Sequence, residues 1–574
     1  MQPVRMKVLR LKCSIDVYFA RERSLKRMNH KNSRIDDFRQ ILPQFAFLAL
    51  VALGFGYVFA TPPFQVPDEP SHFLKSYELA QGHCATAAHE RLPIQIVHLP
   101  DGFVRANSYE PTLLTRSFPE SHEKLDVSHT EFVGPDLRPA DVYSCLPYAM
   151  QAMAMVGARA FDLSPIFIFY AGRIGGLLSY LALTTLALIT APLYARTLLL
   201  LVAFMPMAMY EAASVSEDGF INGIALLFIA VIARSSSIKT TSRRGLFANV
   251  AVIAVLLGQC KLDFCLLPLL AAVPSKTWGL RYGRFIVAAS AIAISILGFV
   301  LWQKIDQEFI FANAPVQFHN VYPKSNLLFL IHDPASIVHR FVNTINDQGS
   351  FYVSSMIGNL GWLTIPLDPL IVVAYLTSFA FVGLLSVNPQ KVSLWIRATY
   401  LAVGLGSILI VFFTFYIVTT TEKSITFGFA STGGTIWGVQ GRYFIPFLVP
   451  ILWSIAWGKR FQVAVERRVL PTVAILMIVI SSADAMIRLH RAYDVQSVNS
   501  SAMPISTRST LRPSLIENSL AGAFLQHGKS DTIWLINHGK IHRIERDDFV
   551  ARDWYPITHI SDSEFRLISL GDPF

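Results

Sequence analysis

The chain has 574 residues, of which 53% are hydrophobic and 15% charged, with 41 Phe and a mean hydropathy of +0.44. Apolar runs close to the ~20 residues that cross a bilayer recur along it, which excludes a soluble globular domain and predicts an all-α polytopic membrane protein. The net charge of +10 does not point to nucleic acid: residues 1–39 hold eleven Lys or Arg against four acids, the mark of a segment held on the cytoplasmic side.

That segment has no short apolar core followed by a cleavage site, so it is not a signal peptide. Residues 1–42 read as a basic cytoplasmic tail. The first span, 43–61, then runs outward, and 62–164 form a large external loop with seven basic and thirteen acidic side chains. The loop opens on Val66-Pro67-Asp68-Glu69-Pro70-Ser71-His72-Phe73. Pro70 suits a first helical position, and Asp68 or Glu69 can cap the free amides there. Phe73, Leu74 and Tyr77 share one stripe, while His72, Lys75, Ser76 and Glu78 form a polar side. The pattern predicts a helix along the membrane surface with its acidic end facing a water-filled pocket; an interfacial helix with an ordinary acidic cap is the plain alternative.

Residues 146–161 are apolar but short, and are read as a helix in or against the outer interface. With that choice 165–190 runs inward, 197–213 outward and 219–233 inward, ending at Arg234, Lys239, Arg243 and Arg244, and every basic cluster falls inside. Residues 246–273 become two short spans meeting outside near Lys261. Then 285–302 goes out, 304–365 forms a second large external loop, 369–385 goes in, 398–419 out, 443–457 in and 470–487 out. The total is about eleven crossings, with an inside start and an outside finish. The remainder, 488–574, is an extracytoplasmic tail carrying a small α/β module from about 531. Its strands are expected at 532–536 and 541–544, across a turn at 537–540.

Cys84 and Cys145 both fall in the first external loop, on the oxidising side. A disulfide between them would tie the Asp68 helix to the 146–161 helix; two free thiols are the alternative. Cys260 and Cys265, at membrane depth, read as small apolar fillers, and Cys13 is cytoplasmic. No CxxC spacing and no helical pair among the six loop histidines suggests a metal site.

Charged groups near a membrane are costly unless they line a cavity. The outer-side set is Asp68, Glu69, Arg173, Glu211, Glu217, Asp218, Lys261, Asp263 and Arg442. Some have plain readings: Arg173 can snorkel, and Glu211 and Asp218 can cap helix ends. Lys261 breaks an apolar run without structural need. Arg442 lies in Gly438-Val439-Gln440-Gly441-Arg442-Tyr443, at the mouth of a span. Its flanking glycine lets a phosphate approach backbone and guanidinium together. His72, Arg173 and Gln440 are further candidate substrate contacts. Carboxylates beside Lys and Arg, open between lipid and water, suit sugar transfer from a polyprenyl phosphate to an acceptor hydroxyl. A carboxylate takes the acceptor proton, and the cations stabilise charge on the departing phosphate.

PDEPSHFLKSYELAQG, YSCLPYAMQAMAM, YAGRIGGLLSYLALTTLAL, FMPMAMYEAASVSEDGFING, GNLGWLTIPLDP and GVQGRYFIPFLVP resemble, in order and over about 43–487, the bacterial membrane family of domain of unknown function 2142. That family is similar to the GT-C superfamily of lipid-linked-sugar glycosyltransferases, whose members carry an essential acid in the first external loop and further acids in the second. The resemblance implies a GT-C-like transmembrane domain over 43–487, with Asp68 or Glu69 as the catalytic acid. Glu217 and Asp218 match the second-loop position, and Lys261 and Arg442 take the phosphate-binding role. It leaves open a divalent metal between the acidic loops, since the superfamily contains both cases. The basic tail and the C-terminal module lie outside it. The resulting expectation is a bacterial inner- or plasma-membrane glycosyltransferase facing outward, with a polyprenyl phosphate-linked sugar as donor, an envelope glycan as acceptor, and no nucleic-acid partner. A transporter or flippase for a lipid-linked or small anionic substrate is the main rival. A non-catalytic assembly factor for envelope polysaccharide is a third reading.

Overall fold

The structure is a computed structural model. It describes residues 47–84, 91–100, 123–132, 140, 143–237, 243–260, 263–312, 323–385, 393–419, 434–436, 438–456 and 463–494, and strands between 524 and 570. The basic tail, Lys261 and most of the C-terminal segment lie outside the described residues. The chain divides into two units, Met1–Ala52 and Leu53–Phe574. Of the first, only 47–52, the opening turns of helix α1 (Phe47–Ala60), is described.

In the second unit α1 ends at Ala60, and after a tight turn α2 follows at Glu69–Ala80. Pro70 sits in its first turn as expected, where the missing N–H costs nothing. The rest of the expectation for α2 is corrected. Asp68 stands at the N-cap with φ 63°, and its side chain makes no capping hydrogen bond. The polar side is not at a surface either, because His72, Lys75, Ser76 and Glu78 are all buried. A polar helical face can be buried when each group finds a partner. Ser76 Oγ donates to Gln151 Oε1 (2.7 Å) and Lys75 Nζ to the Cys84 carbonyl (3.3 Å).

Strand β1 (Arg91–Pro93) pairs antiparallel with β2 (Thr130–Phe132), and a disulfide joins Cys84 to Cys145, with Cα atoms 5.3 Å apart. A 3₁₀ turn, Leu146–Tyr148, leads into α3 (Ala149–Ala160), and α4 runs Pro165–Thr190. The 146–161 segment is helical as expected, but it packs lengthwise and antiparallel along the first half of α4. Met155 meets Gly172, and Gln151 meets Gly175 and Gly176. A Cβ at Gly175 would collide with the backbone of Met150 and Gln151, so the close approach requires glycine.

The single outward span expected at 197–213 is instead a bent pair, α5 (Leu193–Ala203) and α6 (Pro206–Ala212), turning through 69°. Pro206, at the start of α6, cannot donate to the preceding turn, so α5 does not continue through it. Next come α7 (Asp218–Ser237), α8 (Arg243–Gly258) and a 3₁₀ stretch, Asp263–Ala272, interrupted by Pro268. Then follow α9 (Gly283–Ala312), α10 (Pro323–His332) and α11 (Pro334–Gly358). The 304–365 segment is therefore largely helical. It closes on the two-stranded hairpin β3 (Asn359–Leu360) and β4 (Ile365–Pro366).

Helices α12 (Pro369–Leu385) and α13 (Leu394–Thr419) form over two of the stretches expected to span; α13 is long enough to cross, while α12 is one of the shorter apolar helices. The span expected at 443–457 is two short pieces, a 3₁₀ stretch Gly441–Phe447 containing Pro446, and α14 (Leu448–Ser454). Helix α15 (Val463–Asp494) ends the helical part. In the C-terminal segment β6 (Ile533–Asn537) and β7 (Lys540–Ile544) form the expected antiparallel pair. They lie inside a five-stranded sheet of order β8-β5-β6-β7-β9, with β5 Phe524–His527, β8 Ile557–Ile560 and β9 Ser569–Leu570.

Candidate functional site

The turn after α1 gathers the charged groups in two layers. In the lower layer Arg173, from the first half of α4, is fully buried against Glu69. Its Nε and Nη2 donate to the two carboxylate oxygens at 2.8 Å each. Nη1 also donates to the carbonyls of Val58 (3.0 Å) and Thr61 (2.6 Å), and Nη2 to that of Pro62 (2.9 Å). Glu69 Oε1 further accepts the Val215 N–H at 3.0 Å. All five donors of the guanidinium are used. Arg173 therefore does not snorkel; it pins the end of α1, the start of α2 and the α6–α7 connection together.

The upper layer is built on Arg442. Gly441 packs so tightly on Tyr352 and Met356 of α11 that a Cβ would not fit, and its N–H donates to Ser355 Oγ (3.0 Å). This carries Arg442 inward. Its Nη2 donates to Asp68 Oδ2 (2.7 Å) and Nη1 to Glu211 Oε1 (2.9 Å), and its Nε lies 3.7 Å from Asp218 Oδ2. One guanidinium thus bridges three carboxylates from three segments. Among them only the Asp68 side chain is substantially accessible, at 36%. Asp68 thus has a left-handed backbone, which is costly for a side-chain-bearing residue, and a carboxylate that serves no helix cap. Strain of this sort persists where the surroundings over-determine it, commonly at functional positions.

Beside the cluster, Tyr148 donates to Glu217 Oε2 (3.0 Å), and His72 Nδ1 lies 2.7 Å from the same hydroxyl and 2.9 Å from the carboxylate. With the phenol proton directed at Glu217, the remaining short contacts call for a proton on Nδ1. Burial, and next the Glu217 carboxylate, hold the Tyr148 phenol well above its usual range, so it stays a donor. Gln151 Nε2 donates to the Ser216 carbonyl (2.6 Å), which fixes the Glu217–Asp218 turn from α3.

The structure thus brings Asp68, Arg442, Glu211 and Asp218 into one cluster, with His72 and Glu217 in a buried triad alongside. Glu69 and Arg173 form the pin beneath. Gln440 lies two residues before Arg442, and Lys261 is outside the described residues. Asp263 is buried on the 3₁₀ stretch. Tyr148 and Gln151 escaped the sequence reading, although an amide inside LPYAMQAMAM is the kind of polar intrusion that signals a lined cavity. Among the described residues no group of three or more His, Cys, Asp or Glu is arranged to hold a metal ion. Arg442 occupies the place between Asp68, Glu211 and Asp218 where a divalent cation would have to sit, so these residues as arranged do not fit one.

Five described helices are long and apolar enough to cross a membrane, or six if the bent α5–α6 pair is one span. Together with a buried polar site among them, they define a helical, multi-pass membrane protein. The chain belongs to the family of predicted membrane proteins DUF2142, which it matches over residues 51–451. No curated protein and no solved structure matches it.

Proposed function

We propose that the protein is a membrane glycosyltransferase, moving a sugar from a polyprenyl phosphate carrier to a cell-envelope glycan on the extracytoplasmic side. The reading includes about eleven crossings in a bacterial inner or plasma membrane, with the N-terminus cytoplasmic and the 62–164 and 304–365 segments outside. One observation carries it: Asp68, strained and partly open, is held by a buried arginine just past the first apolar helix. In the reaction the acceptor hydroxyl gives its proton to Asp68 as its oxygen bonds to the anomeric carbon. The anomeric C–O bond to phosphate breaks, and the phosphate leaves as an anion. Arg442 orients Asp68 and keeps cationic charge beside the reacting centre. Glu69 is a support rather than the base. The direct phosphate contact passes to Lys261 by the resemblance alone.

The test is the structure of envelope glycans from cells carrying the wild type, Asp68→Asn or no protein. Loss of one sugar decoration in both the null and Asp68→Asn cells, with normal protein levels, supports transfer; full decoration in Asp68→Asn cells removes Asp68 from the chemistry. The α5–α6 break, with Glu211 at its end, favours a second reading as a transporter or flippase, because discontinuous helices build transport sites. An undecorated lipid-linked precursor retained on the cytoplasmic side would favour that alternative.

A further inference from the structure

We propose that Gln65, Asn359 and Gln440 are the hydroxyl-recognition set of a sugar subsite beside Asp68, an assignment that rests on the glycosyl-transfer reading above. Each of these side chains holds a buried polar atom without a hydrogen-bond partner among the described residues: Gln65 Nε2, Asn359 Oδ1 and Gln440 Oε1. Gln65 is 1% and Asn359 7% exposed. A buried amide group left unpaired is destabilising, and native interiors rarely tolerate it without a functional reason. The segments that carry these three groups are tied to one another.

Gln65 lies three residues before Asp68, and its carbonyl accepts the Tyr210 hydroxyl (2.6 Å), the neighbour of Glu211. Gln440 precedes Gly441, which is bonded to Ser355 (3.0 Å), one helical turn before Asn359. The hairpin that Asn359 opens is tied back to the first segment, because the Trp362 indole N–H donates to the Phe64 carbonyl (3.0 Å). Leu363, at its tip, is held at φ 62°, and Phe64, which accepts the indole N–H, at φ 61°, both strained for side-chain-bearing residues.

The chemistry of the set selects the ligand. Phosphate oxygens only accept hydrogen bonds, so an anion would leave the Asn359 and Gln440 carbonyl oxygens unpaired. A hydroxyl both donates and accepts, and adjacent sugar hydroxyls match the paired donor and acceptor of a primary amide. The half-buried Trp362 ring adds a flat apolar face at the edge of the set. A ligand rich in hydroxyls fits; a bare phosphate does not.

The test uses the purified full-length protein in lipid nanodiscs. The probes are farnesyl phosphate alone and farnesyl phosphate carrying glucose, galactose, mannose or N-acetylglucosamine. The wild type is expected to bind at least one sugar-bearing probe about tenfold more tightly than the bare lipid. Gln65→Leu and Asn359→Leu each lose that preference while binding the bare lipid as before. Their unfolding temperature without ligand stays close to that of the wild type, because each substitution removes an unpaired buried polar atom. A lower unfolding temperature in both variants makes the amides structural and overturns the assignment. So does a sugar preference that survives both substitutions, or a wild type that binds all probes equally. If envelope glycans still lose a sugar in Asp68→Asn cells under those outcomes, transfer stands and only the subsite falls.

Discussion

Arg173 and Glu69 meet fully buried, through two parallel hydrogen bonds of 2.8 Å, and this pair separates the two members of the acidic doublet. The guanidinium spends its other donors on three carbonyls of the turn after α1. Glu69 is thereby committed to architecture. Asp68, one residue earlier, points to Arg442 instead and keeps an accessible carboxylate.

Stability and activity should therefore divide between neighbours. Removing one partner of a buried ion pair strands the other, so Arg173→Met should cost about 3–5 kcal/mol. Glu69→Gln leaves the buried guanidinium without its countercharge and should cost a similar amount, about 3–5 kcal/mol. Asp68→Asn should change stability by less than about 1 kcal/mol, since Asn tolerates the left-handed backbone and Arg442 keeps Glu211 and Asp218 beside it. Thermal unfolding in nanodiscs measures all three. A large loss in Asp68→Asn together with a mild one in Arg173→Met would reverse the assignment.

The Cys84–Cys145 disulfide closes a sequence separation of 61 residues, and the chain-entropy account gives it about 4 kcal/mol. Cys145 stands three residues before Tyr148, so the bond also holds the donor of the Glu217 triad. Cys84→Ser with Cys145→Ser should lower the unfolding temperature. A maleimide probe at Met150→Cys should react faster in that background; equal labelling rates with and without the disulfide would show that it does not order this segment.

Met150, Met153 and Val156 are exposed on α3, beside the exposed Phe167, Leu178, Leu186 and Ile189 of α4. Gln151, between them, faces the site. A helix that is apolar outside and polar inside suits a lipid boundary. A bimane label at Met153→Cys or Val156→Cys should be quenched by doxyl lipids as strongly as one at Phe167→Cys. Quenching by aqueous iodide instead would place α3 in water.

Asp126 accepts from Ser128 N (2.8 Å), Ser128 Oγ (2.6 Å) and His129 Nδ1 (2.5 Å). The Ser128 hydroxyl, then His129, hold its carboxyl below the usual range. A carboxyl lowered in the folded state stabilises above its unfolded value of about 3.9, and that contribution fades as pH falls through the depressed folded value. The turn leading into β2 should thus resist pepsin at pH 4 better than at pH 2. The gap should narrow in Asp126→Asn; an unchanged gap would mean the turn is indifferent to this carboxylate.

Much of this protein was legible as one-dimensional pattern. Long apolar runs must become helices because lipid offers the backbone no hydrogen bonds, so α4, α7, α9, α12, α13 and α15 follow from hydropathy alone. The acidic pair and Arg442 stood out because charge is costly beside a membrane. The breaks at Pro206 and Pro446 were harder to see, since a proline inside an apolar run can either kink a span or end it. Burial of His72 and Ser76 on the α2 polar face could not be read from the sequence at all, because their partners, Tyr148 and Gln151, lie more than seventy residues away. The same holds for the unequal fates of Asp68 and Glu69. Side by side in the chain they are chemically near-equivalent, and only Arg173 and Arg442, arriving from distant helices, assign one to the scaffold and leave the other at the mouth of the site.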